Sequence, residues 1–549
     1  MDDVATGRTA ARTLVELLAQ LDDEQGDVAL FFPETGSTLR HRDIPERAWG
    51  VAAQLLADGI ENGEVVGVLA GTSPDFAPTV FGVWAAGAAV TVLPVLEFLA
   101  DPEKAASFLA PLIPKISRLL VDKSFESVAV ALRRAHPHLP VTRIADCAPR
   151  PRPATVPDVS PESTAVIQFT SGSTARPKGV VLSHGALLHC FASTAQASSV
   201  GVHDIEVLWV PLFHDLGLVT FLGSIWRGFE LHLFTPWHFI RRPREVVEHL
   251  GACGATVFAG PNFAYDRIVS TFSDALPAGL DLSRWRMALN GGEAVRAGTV
   301  SAFAETLAPG GVSATTMYPS YGMAEATLSV TCPVSGTEPV TTWFDREGLA
   351  NARLAVPVAA GATHGSALVS VGRPVPGMDL RIVDDLGRQV ADSALGEIVL
   401  RGPSVTTGYL DDPDATTAAL RDGWLHTGDL GTRLDGELYI AGRLKDMIII
   451  AGRNFFAEDV ESVVRGVVGH GRCVALADVE RERIMVAVEA ADAASAADLS
   501  TEVRRAVSTA LDLGAVEVHV VPRNTLARTT SGKWQRARMT RLLSRTDGR

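Results

Sequence analysis

Residues 169–179 read Phe-Thr-Ser-Gly-Ser-Thr-Ala-Arg-Pro-Lys-Gly, with hydroxyls and glycines crowded beside one lysine. The apolar runs 165–167 and 180–182 on either side predict strand, loop, strand. Free backbone N–H groups and hydroxyls in such a turn form a concave donor surface suited to phosphate oxygens. Lys178 adds a flexible point charge. A P-loop needs Gly-Lys followed by Ser or Thr, and Pro177-Lys178-Gly179 breaks that pattern, so this is a phosphate loop of another kind. The competing reading is a polar surface turn, which would have no need of this lysine. Of 49 Lys and Arg residues only six are lysine. Three of the six, Lys178, Lys445 and Lys533, sit in glycine-bearing motifs. Such use suggests sites that need a compact ammonium, not a planar guanidinium.

Other chemistry-bearing residues follow apolar segments. Asn290-Gly291-Gly292-Glu293 trails an expected strand at 285–289, and Tyr321-Gly322-Met323-Ala324-Glu325 follows Tyr318-Pro319-Ser320. Glycines and carboxylates beyond strand ends mark ligand sites of open α/β sheets. His214 ends the apolar stretch Pro211-Leu212-Phe213 and precedes Gly217. A buried, hydrogen-bonded histidine would look the same. Further along come Thr427-Gly428-Asp429, then Gly442-Arg443-Leu444-Lys445-Asp446, then Thr529-Thr530-Ser531-Gly532-Lys533.

The elements that must hold these residues read as alternating helix and strand. We expect an amphipathic helix over 9–22, a hairpin over 31–42, a helix over 45–58, strands at 65–69 and 89–92, and a helix over 76–86. Alternation of this kind predicts a largely parallel sheet covered on both faces. The proline-rich stretch 148–161 reads as a linker with one α/β layer on each side. Residues 396–410 read as short β-structure. About 100 residues after the boundary at 442–446 read as a small α/β unit. The stretch 209–265 holds 11 of the 35 aromatic residues. Most serve a core, and some would wall a pocket for a bulky apolar ligand.

Length and composition bound the rest. A chain of 549 residues exceeds one simple core. A net charge of −14 argues against non-specific nucleic-acid binding. Five scattered cysteines without a CxxC indicate neither a disulfide framework nor a zinc site. The acidic start Met1-Asp2-Asp3 is unlike a signal peptide, and the longest apolar run, 80–90, is too short to span a bilayer. A cytoplasmic enzyme is expected.

Taken in order, these motifs resemble the adenylate-forming superfamily: acyl-CoA synthetases, luciferases and adenylation domains of peptide synthetases. The resemblance runs through the loop at 171–179, Tyr321 to Glu325, Thr427 to Asp429, the hinge at 443–446 and Gly532-Lys533. It covers nearly the whole chain. Pro211 to Asp215, Gly260 to Asp266, Ala324 to Leu328 and Ile448 to Asn454 are similar to the fatty acyl-AMP ligases. So is the placement of residues 342–365, where that subfamily carries an insertion. Ala324 stands where most of the superfamily has threonine, and fatty acyl-AMP ligases share the alanine.

The resemblance implies an α/β fold: a large N-terminal domain (1–441) of two α/β subdomains and a β-rich one, a hinge (442–446) about Lys445, and a small mobile C-terminal domain (447–549). It implies ATP and Mg2+ as cofactors, with Thr170, Ser171, Gly172, Ser173, Thr174 and Lys178 on the phosphates. Glu325 would bind the metal. Tyr321, Gly322, Met323, Ala324, Gly291, Gly292 and Glu293 would surround the nucleotide, Asp429 would hold the ribose with support from Arg443, and Lys533 would bridge carboxylate and α-phosphate. His214 would orient the carboxylate, and Phe213, Asn262, Phe263 and Met323 would line the acyl pocket. The implied reaction joins a hydrophobic carboxylic acid to AMP. The implied acceptor is a thiol on an acyl carrier protein, a polyketide synthase or a CoA-transferring partner. An acyl-CoA or aryl-CoA ligase is the main alternative. An amino-acid activator would have only Asp215 for the substrate ammonium. A non-enzymatic binding protein should have lost Lys178, Glu325, Asp429 or Lys533, and all four are present.

Overall fold

The computed structural model describes residues 10–23, 26–94, 101–170, 177–469, 472–490, 496–527 and 534–544. Ser171, Gly172, Ser173, Thr174 and Lys533 lie outside the described residues. The chain divides into two compact units. One comprises Met1–Pro339, Gly372–Asp379 and Leu400–Leu425, the other Val340–Val371, Leu380–Val399 and His426–Arg549.

The first unit carries two large sheets. A six-stranded sheet runs in the order Val141–Arg143, Arg118–Val121, Val65–Leu69, Ala89–Val92, Thr164–Thr170, Lys178–Ser183. Its first five strands are parallel and the last is antiparallel. Ala89–Val92 is buried along its whole length, as expected of a strand covered on both faces. The seven-stranded sheet runs Met317–Pro319, Met287–Asn290, Val257–Gly260, Ile205–Leu208, Glu230–Leu233, Ala29–Phe32, Ser37–Arg40. Only its final hairpin is antiparallel.

Two expectations need correction here. The segment 148–161 is irregular, but it does not separate two layers. The first sheet recruits Thr164–Thr170 and Lys178–Ser183 from beyond it, and the second takes its edge hairpin from Ala29–Arg40 before it. Strand pairing, not chain order, decides membership of a sheet. The first helix spans Leu14–Asp22 instead of starting at residue 9. Thr13 Oγ1 accepts from Glu16 N while Glu16 Oε2 accepts from Arg12 N, a reciprocal cap that fixes the start.

In the second unit Trp424–Leu434 and Glu437–Arg443 form an antiparallel pair. The C-terminal part opens on the hairpin Met447–Ile450 with Arg453–Phe456. Helix Ala457–Val468 follows, and Cys473–Asp478, Arg483–Ala490 and Val516–Pro522 form a three-stranded sheet. Helices Ala496–Leu511 and Arg536–Ser544 complete an α/β layer. No helix among the described residues is long and apolar enough to cross a membrane.

The compact units do not divide at 441/447. Strands Thr341–Asp345 and Gly365–Val369 pair, and between them lies a short helix, Gly348–Ala352. Phe344, Leu349, Ala350 and Ala355 share one apolar cluster with Tyr439 and Phe456. The expected insertion therefore packs with the C-terminal segment. The residues that share this cluster are not those of the apolar run Val356-Pro357-Val358-Ala359-Ala360. Val356 is 43% exposed, and the run pairs by its backbone, Asp345 N to Val356 O and Val358 N to Trp343 O. Its side chains are exposed apart from that of Val358, which is half-buried.

Candidate active site

Lys178 pairs with Thr170 across the antiparallel strands Thr164–Thr170 and Lys178–Ser183. Its Nζ lies 4.8 Å from the ring centroid of Tyr409, a cation–π contact. The same tyrosine donates its hydroxyl to Glu325 Oε1 at 3.0 Å. One aromatic side chain thus holds a cation on its face and an anion at its tip. Burial first, then the Glu325 carboxylate, hold the phenol well above its usual range, so it stays a donor.

The backbone fixes this pairing. Val181 N donates to Gly408 O and Leu410 N to Gly179 O, at 3.0 and 2.8 Å. Thr406 N donates to Glu325 O at 2.8 Å, and Thr406 Oγ1 to Val181 O at 2.7 Å. The segment 404–410 therefore ties the lysine strand to the glutamate turn. Glu325 sits in a single 3-10 turn, Ala324–Ala326, closed by Thr327 at φ +67°. A β-branched residue there costs about 1–3 kcal/mol, held by the fold around it. Thr327 Oγ1 donates to Ser404 O at 2.7 Å inside the protein. At Gly322 a Cβ would lie 1.9 Å from Leu328 O, so no other residue fits that turn.

Tyr321 and the glycine turn at 291–292 are neighbours. Ser320 N donates to Asn290 O at 2.8 Å, and a Cβ at Gly291 would stand 3.0 Å from Ser320 O. Glu293 accepts from Phe263 N at 2.6 Å, which ties it to the start of helix Asn262–Thr271. Asn262 is fully buried, and its amide joins Thr299 Oγ1, Asn290 Nδ2 and Arg296 N. Met323 is half-buried, its N–H donating to Leu328 O.

His214 caps helix Asp215–Arg227, accepting from Leu216 N at its Nδ1. Gln168 Nε2 donates to Phe213 O at 2.8 Å and so links this turn to the strand feeding the phosphate loop. Gly217 lets the helix start close in, since a Cβ would meet Pro211 O at 2.2 Å. Of the aromatic stretch, Phe221, Phe229, Phe239, Phe258 and Tyr265 are core. Phe213 and Phe263 remain half-buried, Phe263 edge-on to Trp209 at 5.8 Å.

In the second unit Asp429 faces Arg443 across paired strands, with Arg443 Nε 2.8 Å from Asp429 Oδ1. Asp429 is 3% exposed and its guanidinium partner is more open. Glu397 shapes the turn before it, accepting from Gly428 N at 3.0 Å and pairing with His426 at 2.7 Å. Lys445 is exposed in the 3-10 turn Leu444–Asp446.

Sequence reasoning missed Tyr409 and Glu397. Both stand one residue after a glycine in stretches read only as β-structure, and an aromatic and a carboxylate at matching places were the available signal.

The first unit offers a lysine and a carboxylate oriented by a phenol, charges that suit phosphate and a hard cation, and the second unit offers a buried aspartate backed by arginine. Glu325 Oε2 has no protein partner among the described residues and suits a hard cation. Residues 18–410 match the family described as AMP-binding enzyme. A Caulobacter vibrioides protein named "Putative acyl-CoA synthetase" is 32% identical over 520 residues, 92% of this chain and 90% of its own. Long-chain-fatty-acid–AMP ligase FadD26 of Mycobacterium tuberculosis is 31% identical over 569 residues, 96% of each chain. A solved structure from work on the fatty acyl-adenylate ligases of E. coli and L. pneumophila superposes with a TM-score of 0.91 at 26% identity, covering 99% of this chain and 100% of that one. The chain belongs to the AMP-binding enzyme family, with the two-domain α/β fold of adenylate-forming ligases.

Proposed function

We propose that the protein activates a hydrophobic carboxylic acid as acyl-AMP and passes the acyl group to a carrier-protein thiol. The acid's carboxylate oxygen attacks the α-phosphorus of ATP, and the bond to pyrophosphate breaks as the new one forms. The nucleophile is already an anion, so catalysis reduces to positioning and charge neutralisation. Lys178, with Ser171, Gly172, Ser173 and Thr174, holds the β- and γ-phosphates. Glu325, oriented by Tyr409, holds Mg2+, which when bound screens the phosphate charge. Tyr321 lies on the adenine beside Gly291 and Gly292, and Asp429 accepts from the ribose hydroxyls while Arg443 holds its carboxylate in place. His214 directs the carboxylate between Phe213 and Phe263. Lys533 neutralises charge as carboxylate and α-phosphate meet. The reading includes a hinge at Lys445 and a cytoplasmic location.

One observation carries the choice of acceptor. The insertion is bonded to the C-terminal segment: Arg346 Nη1 donates to Ala510 O at 2.8 Å, Asn454 N to Asn351 Oδ1 at 2.7 Å, and Arg453 Nη2 lies 3.2 Å from Glu347. Such bonds oppose rotation about Lys445. A thiol-accepting state then occupies a small fraction of molecules, and the apparent affinity for free CoA falls by that fraction. The name of the Caulobacter relative favours the second reading, transfer to CoA itself. Incubation with ATP, Mg2+, a panel of acids and saturating CoA separates them. Accumulating acyl-AMP with a long-chain acid supports the proposal. Rapid acyl-CoA formation by this chain alone replaces it with the ligase reading, and no acid-dependent ATP–pyrophosphate exchange rejects both.

A further inference from the structure

We propose that His232, His249 and Cys253 form a binding site for a zinc ion, built from none of the residues assigned to adenylation. His232 lies on strand Glu230–Leu233. Its ring stacks on Phe31, its cross-strand partner, with centroids 4.7 Å apart and planes 15° from parallel. Its Nε2 is 2.8 Å from Glu230 Oε1. The carboxylate assigns the ring proton to Nε2 and leaves the Nδ1 lone pair facing away from it. That lone pair meets His249 Nε2 at 2.8 Å. His249 and Cys253 stand four residues apart on helix Pro243–Cys253 and share a face. Phe234 holds the His249 ring edge-on at 5.2 Å. The two nitrogens and Cys253 Sγ all lie within 4.8 Å of one another.

Two imidazoles and a thiolate are the donor set of a borderline-soft ion, and tetrahedral zinc accepts three protein ligands with water in the fourth place. Zinc–nitrogen bonds of about 2.0–2.1 Å set two imidazole nitrogens about 3.3 Å apart, a shift of about half an ångström from the present pair. Glu230 behind His232 is the outer carboxylate that fixes the tautomer of a ligating histidine and strengthens it. On binding, Cys253 releases its thiol proton to solvent, and the His249 Nε2 proton moves through solvent to its own Nδ1. Zinc then occupies the place of the hydrogen between the two rings. The ion joins the sheet strand to the helix packed beside it.

The test uses the full chain, stripped of metal by chelator dialysis and titrated with Co2+ as a spectroscopic probe, then with Zn2+. The site predicts a thiolate-to-cobalt charge-transfer band and ligand-field bands of tetrahedral intensity, both bleached by Zn2+. Cys253→Ser removes the charge-transfer band. His249→Ala weakens Zn2+ binding at least tenfold, and Glu230→Gln by about 10–100-fold with the band retained. Cys147→Ser, at the other partly exposed cysteine, changes nothing. Zn2+ raises the melting temperature of the parent and leaves that of Cys253→Ser unmoved. No band in the parent, or a band that survives Cys253→Ser, overturns the proposal.

Discussion

Tyr409 couples Lys178 and Glu325, the two charged side chains proposed to hold the triphosphate and its metal. Tyr409→Phe keeps the ring under Lys178 and removes only the hydroxyl on Glu325. A hydrogen bond to a charged group contributes about 1.5–3 kcal/mol, so kcat/KM for ATP should fall about 10–100-fold, with a raised Mg2+ requirement. Pyrophosphate exchange at graded Mg2+ reads both, and an unchanged Mg2+ profile would remove the role. Lys533→Ala should cost about 10²–10³-fold in exchange rate while ATP still binds, as for any charge that acts in the transition state. A loss within a few-fold would show that another group neutralises the α-phosphate. Lys178 and Asp429 stood out in the sequence because each sets a charge directly beside glycine, and Glu325 because it follows a glycine-bearing turn. Tyr409 did not, because its partners stand 84 and 231 positions away, and only the folded backbone at 404–410 brings them together.

At the scale of elements, the segment 342–365 is bonded to the C-terminal part, and the proposed function makes those bonds a restraint on its movement. The segment's packing residues were not legible in the sequence. Apolarity favoured 356–360, whereas burial falls on Leu349, Ala350 and Ala355, the first two turned inward by the short helix Gly348–Ala352. Deleting the segment would expose Tyr439 and Phe456, so the sharper test loosens its polar bonds alone. Arg346→Ala with Asn454→Ala removes donors to Ala510 O, Gly365 O and Ala350 O. Acyl transfer to CoA should rise several-fold while acid-dependent exchange holds. Unchanged transfer would mean that the segment is a scaffold without influence on the acceptor. Strands Val65–Leu69 and Ala89–Val92 were legible to the residue because each is a short apolar, β-branched run closely preceded by a glycine turn. The mixed membership of the two sheets was not, since pairing partners lie far apart in sequence.

At the scale of the whole molecule, a buried histidine joins segments far apart in the sequence. His184 is 1% exposed, and its Nδ1 accepts from Leu14 N at 3.2 Å, 170 positions away. Burial lowers its pKa to about 4, from an ordinary 6.5. The unfolded chain therefore binds a proton that the folded one refuses between those values. The neutral ring's stabilisation is whole above about pH 6.5 and is lost as pH falls towards 4, about 3 kcal/mol in full and about 2 kcal/mol by pH 5. His184→Asn should flatten that part of the denaturant-midpoint profile relative to the parent, and parallel profiles would assign the acid sensitivity elsewhere. The edge hairpin of the seven-stranded sheet bears on how the chain is made. Ala29–Phe32 leaves the ribosome about 200 residues before Glu230–Leu233, the strand it must lie beside. At about 5–20 residues per second it waits about 10–40 s with an Ala-Leu-Phe-Phe edge unpaired. During synthesis this segment is a natural client for a chaperone, and slowing translation between the two strands should lengthen the time it is held.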